Sequence, residues 1–331
     1  MNFPRLFVFF LLLLGLLPQL DAQVGNNNPT GVSGIFNGNV TTGCSYDPYT
    51  GNAHRTITDI VVAGAVGEYP LALSRTSNSR NVVWSSPFGQ PGAWRHNYQW
   101  FLQNSAGVTT WGSPPPYYQP PGYSVVFPDG RTETFTDTGG SDPYFRSTAG
   151  VRDRFQQLTA GTDLCYLLLP DGGKVEFKAT VVSELGYNGD PNLYWNEYVA
   201  QAIIDPYGLR TTFTYDTNSP PRLSKVTEPA GRYLQFYYRT TTGQTNMVDH
   251  VTEVINGVSK RSVQYNYTTI SPGGTSYLAL NNVVYYGDAT WTARYTYRAP
   301  NIGSVTGVPL LLTADDPMYS AAPSAEALLS A

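Results

Sequence analysis

One spacing recurs along this chain and restricts its fold more than any other feature. Gly130 is followed five residues later by Phe135, Gly172 by Phe177, Gly208 by Phe213 and Gly231 by Phe236. An acid stands one to three residues before each glycine (Asp129, Asp171, Asp205, Glu228), and a base follows within two (Arg131, Lys174, Arg210, Arg232). The glycine supplies a positive φ that other residues resist. The phenylalanine shares a strand face with the residues two and four before it. Each unit therefore reads as a tight turn feeding a strand, with an aromatic ring anchoring the buried face. Such units bury their apolar faces only against neighbours, so the repeat predicts an array. The glycine spacing shortens along the chain, which predicts insertions in the early units, at Gly140 to Pro143 and Gly186 to Pro191.

The clearest unit is Asp205 to Tyr238. Asp205-Pro206-Tyr207-Gly208 has turn chemistry. Leu209, Thr211, Phe213 and Tyr215 then alternate with Arg210, Thr212 and Thr214, the period of a half-buried strand. Further hairpins are expected about Asn256-Gly257 and Gly287-Asp288, the former because both turn residues take φ > 0. Alternation fades after Tyr297; Leu310 to Thr313 is a last candidate strand. With 25 Tyr, 32 Gly and 25 Pro, and 13% charged residues, the composition favours strands and turns throughout. The expected fold is all-β: repeated antiparallel hairpins in a curved or spiralling sheet.

Tyr215-Asp216, Arg222-Leu223, Val226-Thr227 and Glu228-Pro229-Ala230-Gly231-Arg232 together resemble the YD-repeat (Rhs) family. Pro220-Pro221 departs from its pattern, which prefers a glycine in that turn. A second stretch, Asp47 to Asn52, Leu71 to Arg80 and Gly92 to Tyr98, is similar to the segment that opens Rhs-type arrays. The resemblance implies a spiralling shell that encloses a cargo or presents a surface, as in teneurins and bacterial toxin complexes. It implies further YD repeats, or another shell-forming chain, as partners. The length is short for a closed shell, so an incomplete array with a strand edge open near Tyr277 to Tyr297 is expected. In toxin carriers of this family an Asp-Pro-x-Gly motif ends the core; Asp205-Pro206-Tyr207-Gly208 has those letters but lies inside the repeats.

Residues 1–22 read as a secretory signal peptide, with Arg5, the apolar run Leu6 to Leu17, and Pro18. The run is too short to span a bilayer, and none later reaches spanning length. Residues 23–44 read as a flexible leader, 45–113 as an Rhs-type β region, 114–298 as the β-repeat region and 299–331 as an irregular tail. The product is expected to be secreted, periplasmic or at the cell surface. Export permits a disulfide between Cys44 and Cys165; the alternative is two small buried apolar side chains. Trp94 and Tyr98 are expected to pack, Arg75 to hydrogen-bond into the turn at Asn78 and Ser79, and His96 to be a structural histidine. Pro114 to Pro116 are expected to lie in a connector.

The residues carry no Gly-x-Ser-x-Gly, HExxH or phosphate loop, and the acids sit in turns, where they cap backbone groups. No catalytic, cofactor or metal residue is assigned, and the expected product is a non-catalytic structural protein. A net charge of −4 without a basic run argues against nucleic acid. The rival expectation is a secreted carbohydrate-binding β module using the tyrosine pairs Tyr117-Tyr118, Tyr237-Tyr238 and Tyr285-Tyr286 on a cell-surface glycan. Adjacent strand residues face opposite sides, so one of each pair belongs to the core.

Overall fold

The computed structural model describes residues 44–47, 52–78, 86–89, 94–105, 109–110, 117–118, 122–137, 144–147, 151–157, 164–184, 194–218, 221–271, 274–287, 290–298, 301–302, 305–306 and 310–314. The expected signal peptide, the two insertions, Pro114 to Pro116, Pro220 and the chain beyond 314 lie outside them. Among the described residues there is no α-helix, and every strand pairing is antiparallel.

Strands β1 (Cys44–Asp47), β2 (Asn52–Val61), β3 (Ala72–Asn78) and β4 (Arg95–His96) make a four-stranded sheet in that order. β5 (Phe101–Ser105) enters a second sheet. β6 (Thr109–Thr110) and β7 (Tyr117–Tyr118) pair as a short ladder. The second sheet continues with β8 (Gly122–Val126), β9 (Thr132–Thr136), β10 (Tyr144–Ser147), β11 (Arg154–Gln157), β12 (Leu164–Leu168), β13 (Lys174–Glu184) and β14 (Tyr194–Ile204). Along one edge β14 pairs with β13. Its other edge takes β5 at Trp195–Val199, which closes β5 and β8 to β14 into a barrel-like ring of eight strands. Beyond that contact the same edge takes β15 (Arg210–Tyr215) through Ala202–Ile204.

From β15 the sheet runs outward through β16 (Leu223–Thr227), β17 (Tyr233–Tyr238), β18 (Val248–Ile255), β19 (Val258–Ile270), β20 (Tyr277–Tyr286) and β21 (Thr290–Arg298). β22 (Asn301–Ile302) and β23 (Val305–Thr306) pair with each other, and β24 (Leu310–Ala314) returns to β21. Two expectations change here. The sheet closes on itself, β14 pairing with β13 on one edge and with β5 on the other. Of the edge expected open near Tyr277 to Tyr297, Tyr295 to Arg298 are paired by β24, which becomes the last strand in the order.

The turn chemistry explains the repeat. In Phe127–Arg131, Leu169–Gly173, Asp205–Leu209 and Glu228–Arg232, the first N–H donates to the fifth carbonyl and the fourth N–H to the first. The fourth residue is Gly130, Gly172, Gly208 or Gly231, with φ between 86 and 94°. Pro128, Pro170, Pro206 and Pro229 hold the second position, where a fixed φ is already correct. This is a three-residue hairpin loop with an αL glycine. At Asn256-Gly257 both φ values are positive, 53 and 75°.

Inside the ring, Tyr123, Phe135, Phe145, Phe155, Leu167 and Phe177 share one continuous face by cross-strand register. Tyr123 stacks on Phe155 at 4.2 Å. The ring is filled by side chains. The concave face of β15 to β21 is also filled, by the N-terminal sheet and the chain following it. Tyr98 meets Phe213, His96 meets Phe236, Phe88 meets Tyr265 and Trp94 meets Tyr295, with ring centroids 4.8 to 5.6 Å apart. One core runs through both parts. Burying each phenylalanine contributes about 1.5–3 kcal/mol by transfer alone.

Candidate functional site

The repeat residues come together along one rim. Phe135, Phe177, Phe213 and Phe236 are all buried, at 0 to 3% exposure. Their acids do more than cap turns. Asp171 accepts from Gly173 N with one oxygen and from the Tyr69 hydroxyl, at 2.6 Å, with the other. Asp205 accepts from Tyr207 N and Leu209 N with Oδ1, and from Glu68 N, at 3.0 Å, with Oδ2. Glu228 accepts from Ala230 N and Arg232 N, and its Oε2 also takes Val66 N at 3.1 Å. The connection from β2 to β3 thus crosses three successive turns as a strap. Arg232 donates to Gly64 O, and Arg261, held by Glu253, donates to Val61 O. Gly173 is required by this contact: a Cβ there would overlap the Tyr69 hydroxyl.

Tyr215 and Asp216 play different parts. The Tyr215 hydroxyl donates to Ala200 O at 2.7 Å, tying β15 to β14; Tyr238 does the same to Leu223 O at 2.8 Å. Asp216 accepts from Arg222 N and Arg222 Nε, which closes the turn containing the two prolines without the expected glycine. Arg222 in turn lies over the Tyr238 ring at 4.4 Å. Of the expected tyrosine pairs, Tyr238 and Tyr285 point into the protein while Tyr237 and Tyr286 are exposed. The side chains of Tyr117 and Tyr118 lie outside the described residues.

A buried ion pair within the N-terminal sheet is bonded by three tyrosines of the outer array. Arg75 does not enter its neighbouring turn as expected. Its Nε and Nη2 donate to Asp59 on the neighbouring strand β2 at 2.5 and 2.9 Å, both side chains being 0% exposed. Tyr265 and Tyr285 donate to the same carboxylate at 2.7 and 2.8 Å, and Arg75 Nη2 donates to the Tyr295 hydroxyl. The guanidinium lies 5.1 to 5.7 Å from the rings of Phe88, Trp94, Tyr265 and Tyr295. Burial works most strongly against its charge, but Asp59 together with Tyr295 and Tyr285 outweighs it and raises the Arg75 pKa well above its ordinary value. Burial, then Asp59, pushes the Tyr265 and Tyr285 hydroxyls well above theirs. Sequence reading missed this lock because an arginine within a strand beside Asn and Ser reads as local turn chemistry. The available clue was Asp59, an acid inside a strand.

At the ring's mouth, Arg131 reaches Glu133 at 3.1 Å and packs over the Phe127 ring. Asp129 breaks the rim pattern. Its Oδ1 caps the turn through Arg131 N, but no strap residue meets its Oδ2. Burial lifts this carboxyl to about 6 despite Arg131 and Arg95 nearby. Trp94 and Tyr98 are buried in the core. His96 is buried too; its Nδ1 accepts from Tyr98 N, and burial followed by Arg95 lowers its pKa to about 3. Cys165 is a buried free thiol opposite Phe177, raised to about 12 by burial. The Cys44 side chain lies outside the described residues.

Along the strap and at the Asp59–Arg75 pair, buried carboxylates accept hydrogen bonds on both oxygens. The arrangement can hold a wall together against water. No family model matches the sequence, and no curated protein matches it. Among solved structures, the fold is similar to TcdB2-TccC3, with 13% identity and a TM-score of 0.50 over 80% of this chain. A second TcdB2-TccC3 structure, without its hypervariable C-terminal region, gives 14%, 0.51 and 82%. The chain spans 17% of the length of each. The protein therefore has an all-β fold distantly similar to that of TcdB2-TccC3, a Tc toxin with an RHS/YD shell.

Proposed function

We propose that this chain is an exported, non-catalytic structural element of a β-shell, contributing a self-filled end to a wall that encloses a cargo or presents a surface. One observation carries the reading. Three of the four repeat turns are fastened along a single rim by one strap, while the concave face behind them is filled by the same chain's N-terminal sheet. A wall whose inner side is already packed suits a closed end better than a hollow middle. The partners are then further YD repeats or another shell-forming chain.

The test is to purify the protein from the exported fraction of its source, sequence its N-terminus and image the particle by electron microscopy. A start near Gln23 and a β-walled particle continuous with this fold are expected. A start at Met1 in that fraction would overturn export. A compact particle of this chain's mass alone, with no wall extending from it, would overturn the shell.

A further inference from the structure

The outer face of the closed ring carries a row of cations. Direct cross-strand partners run from Arg146 on β10 to Arg154, Leu168, Lys174, Ile204 and Arg210 on β15. Residues directly opposite share a face, so four of six positions in one line are basic. Arg152, at the bend just before β11, is exposed and lines the cavity beside this row. The nearby carboxylate Glu176 is taken up by Arg210 at 2.5 and 3.0 Å. In a chain of net charge −4 this concentration is local. Beside its β10 end opens a cavity of about 800 Å³, lined among others by Arg152, Arg154, Leu168 and Pro170.

Spacing and ring geometry indicate the ligand. Adjacent strands lie about 4.8 Å apart, so Arg154 and Lys174, on alternate strands, stand about 10 Å apart, while Arg210 is already paired with Glu176. Arg154 lies over the Tyr144 ring at 5.9 Å and Lys174 over Tyr166 at 4.8 Å. Those ring faces are covered by cations, so they offer no platform for stacking bases. What remains is a pair of cations, Arg154 and Lys174, two strands apart on one face, with half-exposed polar groups such as Gln156 beside them. We propose that this face binds an extended acidic polysaccharide carrying an acid group on every second sugar ring, with Arg152 and Arg154 taking an acid group at the cavity. The inference does not depend on the shell reading.

Hyaluronan, which has one carboxylate per two rings, is the probe, with neutral dextran, oligothymidylate and phosphatidylserine vesicles alongside. Binding of the full chain is measured by biolayer interferometry at several salt concentrations. Hyaluronan should bind, more weakly as salt rises, and dextran should not. Arg154→Gln with Lys174→Gln, and separately Leu168→Glu in the middle of the row, should each weaken binding at least about tenfold, a loss of roughly 1.4 kcal/mol. Lys260→Gln, on β19, should leave it unchanged. Thermal melts matching the parent tie a loss of affinity to the row. No binding at low salt, or binding that both row variants leave unchanged, would overturn the proposal. Tighter binding of the oligonucleotide or vesicles would overturn the assignment to a saccharide.

Discussion

Replacing Asp59 by asparagine should destabilise the protein by about 3–5 kcal/mol, the cost of breaking a buried ion pair from one side. Asp59 accepts four hydrogen bonds, two on each oxygen: Arg75 Nε and Tyr265 on Oδ2, Arg75 Nη2 and Tyr285 on Oδ1. Asparagine keeps one acceptor oxygen and turns a donor toward the other two donors. It also leaves the guanidinium without its counter-charge where no water reaches it. Each buried donor left unsatisfied costs about 1–3 kcal/mol, so the loss of two is consistent with that range. Against a total stability of about 5–15 kcal/mol this is a large fraction. Urea denaturation followed by tryptophan fluorescence is the assay, because Trp94 lies against the pair and Tyr295. The midpoint should fall without a change in slope. Arg75→Met alone should cost a similar amount, while Asp59→Leu with Arg75→Met should recover most of it, since apolar replacements of a whole buried pair are often close to neutral. A loss below about 1 kcal/mol for Asp59→Asn, the size of a surface pair, would refute the lock.

Asp129→Asn should change the pH dependence. Burial raises the Asp129 carboxyl from 3.8 to about 6, so the folded state holds its proton more tightly than the unfolded state does. Its contribution is fully present below pH 4 and is lost as pH rises to 6, by up to about 3 kcal/mol. Thermal melts should therefore show the variant gaining on the parent between pH 4.5 and 7.5; parallel profiles would contradict this. Phe213→Ala should cost about 3–5 kcal/mol by denaturant titration, because Phe213 is 3% exposed and packs edge-on against Tyr98. A loss under about 1 kcal/mol would mean that the Gly-to-Phe spacing does not mark a packing position.

The local grammar of this protein was legible because it is written in short-range rules. A proline at the second turn position, a glycine at the fourth and an aromatic five residues on dictate a hairpin wherever they occur, and Asn256-Gly257 does the same by another route. Long-range geometry was not legible. The acid of each turn reads as a cap, and Asp171, Asp205 and Glu228 are caps; that their second oxygens hold residues 66 to 69 depends on how the sheet curves. The closure of the ring depends on β5 pairing with β14 far along the sequence, which alternation does not encode. The same holds for the row from Arg146 to Arg210. Its members are scattered over 65 positions of sequence and become a line only through register.

The strap and the lock also set an order of events for a growing chain. Residues 59 to 75 are synthesised early, yet their partners are Asp171, Asp205, Glu228, Arg261, Tyr265, Tyr285 and Tyr295. Contacts this distant along the sequence form slowly, because the loop between them must first be closed. Until β20 and β21 exist, Asp59 and Arg75 are an ordinary ion pair in water and the apolar side of the first sheet has nothing to cover it. Such an intermediate is aggregation-prone, and its lifetime is set by the rate of elongation. A pause in translation before residue 265 would prolong that exposure; one after residue 295 would not.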